Sequence, residues 1–140
     1  MISFNYELDF TLQDESLYSD WISKVINSEI KNEGEINFIF CNDDYLLEIN
    51  KQYLKHDTLT DIISFDYSVG NELHGDIFIS VERVRENALD FDVDFQQELN
   101  RVMAHGVLHY CGYRDKNIDD KKLMRLKEDE KMKMFHVKQN

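Results

Sequence analysis

The stretch His105-Gly106-Val107-Leu108-His109-Tyr110-Cys111-Gly112-Tyr113-Arg114-Asp115 predicts a helix that carries two imidazoles to its end and then turns back. Residues four apart on a helix lie one turn above each other, so His105 and His109 share a face and can reach one ion. Gly112 marks the stop, because glycine takes the left-handed helix-ending conformation without a steric penalty. Three further residues span at most about 10 Å, enough to bring Asp115 back beside both histidines. Two imidazoles and a carboxylate, with one position left for water, make the donor set of a catalytic metal site rather than a structural one.

Working outward, the histidines belong to a helix over about Asp94 to Cys111. Placed at 100° per residue, Phe95, Leu99, Val102, Gly106 and Tyr110 form its buried stripe, and His105 and His109 fall at the margin, as a cleft wall requires. Glu98 lies near the same margin, where a carboxylate can orient an imidazole. Cys111 points away and is excluded as a ligand.

Toward the N-terminus, Ile2, Phe4, Tyr6, Leu8 and Phe10 alternate with polar residues, the period-two mark of a strand with one buried face. Leu17, Trp21, Ile22, Val25, Ile26 and Ile30 recur at three and four, giving a helix from about Asp14, its N-cap, to Lys31. Asn32 to Gly34 read as a break, and Ile36 to Cys41 as a strand. A helix capped by Asn42 or Asp43 runs to about Leu54. His56 to Thr60 form a polar loop before a sheet-edge strand over Ile62 to Tyr67, and Val69 to His74 make a turn. A fourth strand covers Gly75 to Ser80, followed by a helix over Val81 to Asp90. The last helix spans Ile118 to Phe135, with Leu123, Leu126, Met132 and Phe135 available for packing.

The 140 residues suit one domain, 1–140, able to bury a core without a metal or disulfide staple, so a bound ion is functional. Two cysteines, Cys41 and Cys111, are too few for a disulfide framework, and no segment has signal-peptide or membrane-spanning character. A cytoplasmic protein with no membrane partner is expected. The net charge of −12 argues against gripping nucleic acid by bulk electrostatics. Its distribution is uneven: residues 1–50 hold 11 acidic and 2 basic side chains, residues 117–140 hold 5 and 7. Lys51, Lys55, Arg83, Arg85, Arg101, Arg114 and Lys116 can supply a local phosphate-attracting surface, or are scattered solvated charges.

The pattern HxxxHxxGxxD shares its two histidines and glycine with the zinc-protease pattern HExxHxxGxxH. The residue after the first histidine, where those proteases carry their general-base glutamate, is Gly106, which cannot take a proton. Peptide hydrolysis by that route is disfavoured.

More specifically, His105-Gly-Val-Leu-His-Tyr-Cys-Gly-Tyr113 resembles the HGxLHLxGY signature of the YbeY family of metal-dependent endoribonucleases. Thr60-Asp-Ile-Ile-Ser-Phe65 resembles that family's T-[DN]-V-L-S-F segment, and Gly75-Asp-Ile-Phe-Ile-Ser80 its GDI-x-IS strand. The three occur in the family's order and spacing. The resemblance implies an α+β fold, a small mixed four-stranded sheet packed against about five helices, one of them a metalloprotease-like metal-binding helix. It also implies a bound metal usually taken as zinc, and single-strand-specific cleavage in ribosomal RNA maturation, at the 16S rRNA 3′ end, and in ribosome quality control. Two positions depart from the family. Asp115 stands where it has a third histidine, still a sound two-His, one-carboxylate set. Leu54 stands where it commonly has an arginine after a tyrosine, leaving Lys51, Lys55 or His56 to face phosphate charge.

The candidate site is therefore His105, His109 and Asp115 for metal, with Asp61, Ser64 and Lys55 beside the two histidines for catalysis. Thr60 to Ser64 can equally be a turn satisfying its own backbone. His56 and His74 read as surface histidines, and Tyr113 as a base-stacking or packing aromatic. Single-stranded ribosomal RNA is the expected substrate, with a ribosomal protein or the small ribosomal subunit as partner. The alternatives are a metal hydrolase of another substrate such as peptide, and a non-catalytic metal-binding ribosome assembly factor whose acidic body meets a basic protein.

Overall fold

The computed structural model describes residues 1–56 and 58–135, so Asp57 of the loop expected over His56 to Thr60 lies outside the described residues. Strand β1 (Ile2–Tyr6) runs parallel to β2 (Asn32–Cys41). The alternation puts Phe4 on Phe38 and Tyr6 on Phe40 as stacked rings, with centroids 5.7 and 5.6 Å apart. The strand stops at Tyr6 instead of Phe10. The Phe10 amide donates to the Leu8 carbonyl at 2.9 Å, a tight turn, yet both side chains still pack on the core. Alternation reported burial there, not extended pairing.

Helix α1 (Glu15–Ser28) starts where Asp14 accepts from the Leu17 amide, and buries Trp21, Ile22, Val25 and Ile26. The expected break at Asn32 to Gly34 is instead the irregular start of β2. Gly34 is needed there because a Cβ would sit 2.5 Å from the Leu73 carbonyl oxygen. Asn42 caps α2 (Asp43–Ile49), which continues through a π-helical turn, Asn50–Leu54, ended by Lys55 at φ +57°. β3 (Ile62–Asp66) is the edge strand, antiparallel to β4 (Glu72–Ser80), and β4 is parallel to β2. The sheet order is β1-β2-β4-β3, mixed as expected.

Ser80 caps α3 (Val81–Phe91) and Asp94 caps α4 (Phe95–Tyr110), and Asn117 caps α5 (Ile118–Met132). One sheet face, carrying Ile36, Phe38, Phe40, Ile77 and Ile79, packs with residues of α1 and α4 in the main core. The other carries a smaller cluster of Cys41, Ile63, Phe65 and Phe78 with Leu46 of α2. On α5, Leu123 and Leu126 are exposed, against expectation, because the helix turns Met124, Glu128 and Lys131 inward instead. Phe135 does pack, its ring edge-on to Trp21. No helix of the described residues is long and apolar enough to cross a membrane.

Candidate metal centre

Helix α4 lies close on the sheet because Gly106 has no side chain: a Cβ would meet Ile62 and Ile77 at 3.0 and 3.2 Å. One turn on, the Tyr110 hydroxyl donates to the Phe65 carbonyl at 2.9 Å, over the space that Gly75 leaves open. With Leu99 and Val102 also buried, the stripe predicted from periodicity pins the helix, and His105 and His109 stand half-buried beside it. The helix ends as its sequence indicates. Gly112 takes φ +105°, and the Tyr113 amide returns to the Leu108 carbonyl at 3.1 Å.

The turn brings Asp115 back. His105 Nε2 lies 2.9 Å from His109 Nε2 and 3.2 Å from Asp115 Oδ2, and His109 Nε2 lies 3.4 Å from that oxygen. His109 Nδ1 donates to the Tyr113 carbonyl at 2.9 Å; a carbonyl only accepts, so the proton is on Nδ1. His105 Nδ1 donates to Glu128 Oε2 at 2.6 Å. In their neutral forms both imidazoles turn an Nε2 lone pair toward the other ring and toward the Asp115 carboxylate, so three ligand atoms converge on one point. A tetrahedral ion bonded at about 2.0–2.1 Å spaces its ligand atoms about 3.3 Å apart, close to this triangle. The group can hold a metal ion.

Glu128, on α5, supplies the orienting carboxylate that Glu98 was expected to give. Its other oxygen accepts from Arg101 Nη1 at 2.8 Å, and Arg101 also binds Asp129 at 2.7 Å. Glu98 is buried in the same cleft and bonds neither histidine. Burial, then the charge of Asp61, push its carboxyl above the usual range. Burial by itself would lower the pKa of His105, but the hydrogen bond and charge of Glu128, with Asp115 and Asp61, outweigh it and raise it.

The cleft, about 280 Å³, is lined by Asp61, Glu98, Arg101, His105, Asp115, Arg125 and Glu128 among others. Asp61 thus lines the same cleft as His105 and Asp115, its carboxyl raised by burial against the pull of His105 and accepting weakly from Asn87 at 3.4 Å. Ser64 does not; it lines a neighbouring groove with Asn50, Leu54, His56 and Thr60, which meets the cleft at Ile62. Lys55 is exposed between two residues of that groove.

Three of the basic residues predicted to attract phosphate are engaged elsewhere: Arg83 with Asp43 at 2.8 Å, Arg85 over the Phe95 ring, and Arg101 as above. His74 accepts from the Glu35 amide at 3.0 Å. Tyr113 is engaged within the fold: its hydroxyl donates to Glu29 at 2.7 Å and Lys127 sits over one face of its ring. Sequence reasoning missed Glu128 and Arg125, both on α5. The available signal was the Met124, Glu128, Lys131 spacing of four and three, one helix stripe.

The family model described as Endoribonuclease YbeY matches residues 4–136. A protein named Endoribonuclease YbeY from Flavobacterium psychrophilum is 71% identical over 140 residues, all of both chains. One of the same name from Flavobacterium johnsoniae is 67% identical over 139 residues, covering 99% of this chain and 100% of that one. Among solved structures, the solution structure of a Thermotoga maritima protein aligns with a TM-score of 0.68 at 25% identity, over 96% of this chain and 89% of that one.

Proposed function

Since the chain belongs to the YbeY endoribonuclease family, we propose that it is a metal-dependent, single-strand-specific endoribonuclease acting in ribosomal RNA maturation, with residues 1–140 as one catalytic domain. The observation that carries the metal dependence is the convergence of His105 Nε2, His109 Nε2 and Asp115 Oδ2 within 3.4 Å of one another, a group that can hold an ion. Two imidazoles and a carboxylate favour zinc. A divalent ion held there supplies Lewis-acid polarisation of a phosphodiester oxygen and acidification of water.

The chain's own groups do the rest. Glu128 and the Tyr113 carbonyl fix the two imidazole tautomers. Asp61, with its carboxyl raised, is placed to hold and pass a proton beside the centre. Arg125 is a cleft-lining cation with no carboxylate within 4.0 Å among the described residues, so it can meet a substrate phosphate. The groove with Ser64, flanked by Lys55, continues the path along which a single strand would lie. Ribosomal RNA is the substrate in this reading, met in the cytoplasm on or near the small ribosomal subunit.

Peptide as substrate fits poorly. A glutamate at 106 would be driven into Ile62 and Ile77 rather than the cleft, so a protease-type base cannot be restored at that position. A non-catalytic assembly role draws support from the net charge of −12, which suits a basic ribosomal protein. Elemental analysis and cleavage of labelled single-stranded RNA carrying a 16S 3′ end separate these readings. Wild type should hold one metal per chain and cut. His105→Ala and His109→Ala should lose metal and cleavage together. Full cleavage by metal-free protein refutes the mechanism, and growth rescue by a non-cleaving ligand variant favours the assembly role.

A further inference from the structure

Glu29 closes helix α1 and stands 84 residues from Tyr113 in sequence, yet its carboxylate is the meeting point of three donors. Oε1 accepts from the Tyr113 hydroxyl at 2.7 Å; Oε2 accepts from Lys131 Nζ at 2.7 Å and Lys127 Nζ at 3.2 Å. Lys131 is 1% exposed and is held besides by Ser28 Oγ at 2.8 Å and Glu130 at 2.6 Å. A fully buried ammonium is costly unless paired, so the position of Glu29 is strongly specified. Tyr113 is then fixed at three points: its hydroxyl on Glu29, its amide on the Leu108 carbonyl, and its own carbonyl on His109 Nδ1. It is also the second residue before Asp115, in the only stretch of chain that joins the helix end to that carboxylate.

We propose that Glu29 and Tyr113 form a positioning relay that sets the ion affinity of the His105, His109 and Asp115 group. The proposal rests on reading that group as a metal centre. Anchoring the phenol on Glu29 holds the Tyr113 peptide where its carbonyl keeps the His109 ring in register, and holds the turn so that Asp115 Oδ2 faces both Nε2 atoms. Neither Glu29 nor the Tyr113 side chain touches the ion or substrate. Removing the phenol oxygen leaves Glu29 still bonded to two lysines, so the loss is confined to the turn.

The test is competition of Zn²⁺ between a chromophoric chelator and the full chain, with Co²⁺ absorption as a second probe of the ligand geometry. Tyr113→Phe and Glu29→Gln should each weaken Zn²⁺ binding about tenfold or more, the usual size of an outer-shell loss. The double variant should be no weaker than the worse single one, because both cut the same relay. Trp21→Phe is the structural control: it removes the indole donation to the Lys131 carbonyl at 2.8 Å. It should lower metal-free thermal stability and leave Zn²⁺ affinity unchanged. Wild-type affinity in both Tyr113→Phe and Glu29→Gln overturns the relay alone, as does an equal loss in Trp21→Phe. A wild-type chain that binds no Zn²⁺ overturns the metal reading and the relay with it.

Discussion

Replacing Glu128 by glutamine tests whether its charge, rather than its bulk, organises the centre. The carboxylate is 5% exposed and has one oxygen on Arg101 at 2.8 Å and the other on His105 Nδ1 at 2.6 Å. Both partners are donors, and glutamine offers one acceptor and one donor group. Whichever way the amide turns, an N–H faces either the imidazole N–H or the guanidinium. If the imidazole loses its anchor, ion affinity should fall about 10–100-fold, or about 1.4–2.7 kcal/mol. The metal-free fold should lose less than the roughly 3–5 kcal/mol of an orphaned buried charge, because Arg101 keeps Asp129 at 2.7 Å; about 2 kcal/mol is expected. Zn²⁺ competition gives the first quantity and urea unfolding of chelator-treated protein the second. An unchanged affinity alongside lowered stability would refute the orienting role and leave Glu128 as a packing ion pair.

Asp115→Ala should abolish stoichiometric metal, whereas Asp115→His should retain it by restoring a third imidazole; elemental analysis reads both, and full metal in the alanine variant would remove Asp115 from the ligand set. Gly75→Ala should destabilise by about 3 kcal/mol, the upper end for overpacking with a displaced buried hydroxyl, because its Cβ would collide with the Tyr110 hydroxyl and the Phe65 carbonyl; denaturant midpoints check it. Burial by itself would raise the Glu29 carboxyl, but bonds from Lys131, Tyr113 and Lys127 outweigh it and hold it below its ordinary 4.5. The unfolded chain therefore protonates first, so this contribution is complete above about pH 4.5 and is lost as pH falls through the folded value. Glu29→Gln should be less stable than wild type at pH 6 and show a shallower decline in acid, which unfolding at both pH values measures.

The helix with its candidate ligands was legible because each signal is local: the apolar stripe, the four-residue spacing of the histidines, Gly112 as stop, and a carboxylate within reach of the turn. The strands were legible too, except where burial and pairing part company. Leu8 and Phe10 alternate like strand residues but bury through a turn, and Asn32 and Glu33 pair with β4 although they read as part of a break. Helix α5 was the hardest to read. Its sequence is that of a solvated face laced with charge pairs, yet Glu128 and Lys131 are buried and their partners lie on α4 and at the end of α1. The Met124, Glu128, Lys131 stripe places the two charges on the side of a buried methionine, but it does not name the partners, which come from other parts of the chain.

An acidic chain acting on RNA is less paradoxical once its charges are placed. Arg83, Arg101, Lys127 and Lys131, four of the 16 lysines and arginines, are committed to carboxylates of the fold, and the remainder are outnumbered by 28 acidic residues. The cleft itself is lined by four carboxyl groups, Asp61, Glu98, Asp115 and Glu128, and two guanidinium groups, Arg101 and Arg125. With all ionised it has a surplus of two negative charges, the wrong sign for a phosphodiester. Burial lifts the carboxyl groups of Asp61 and Glu98, and the charge of Asp61 lifts Glu98 further. A divalent cation held by His105, His109 and Asp115 would offset the negative charge that remains there. On the proposed reading such an ion would join Arg125 in attracting phosphate, so metal-free protein should bind labelled single-stranded RNA more weakly than Zn²⁺-loaded protein, and equal affinity of the two forms would refute this role for the ion.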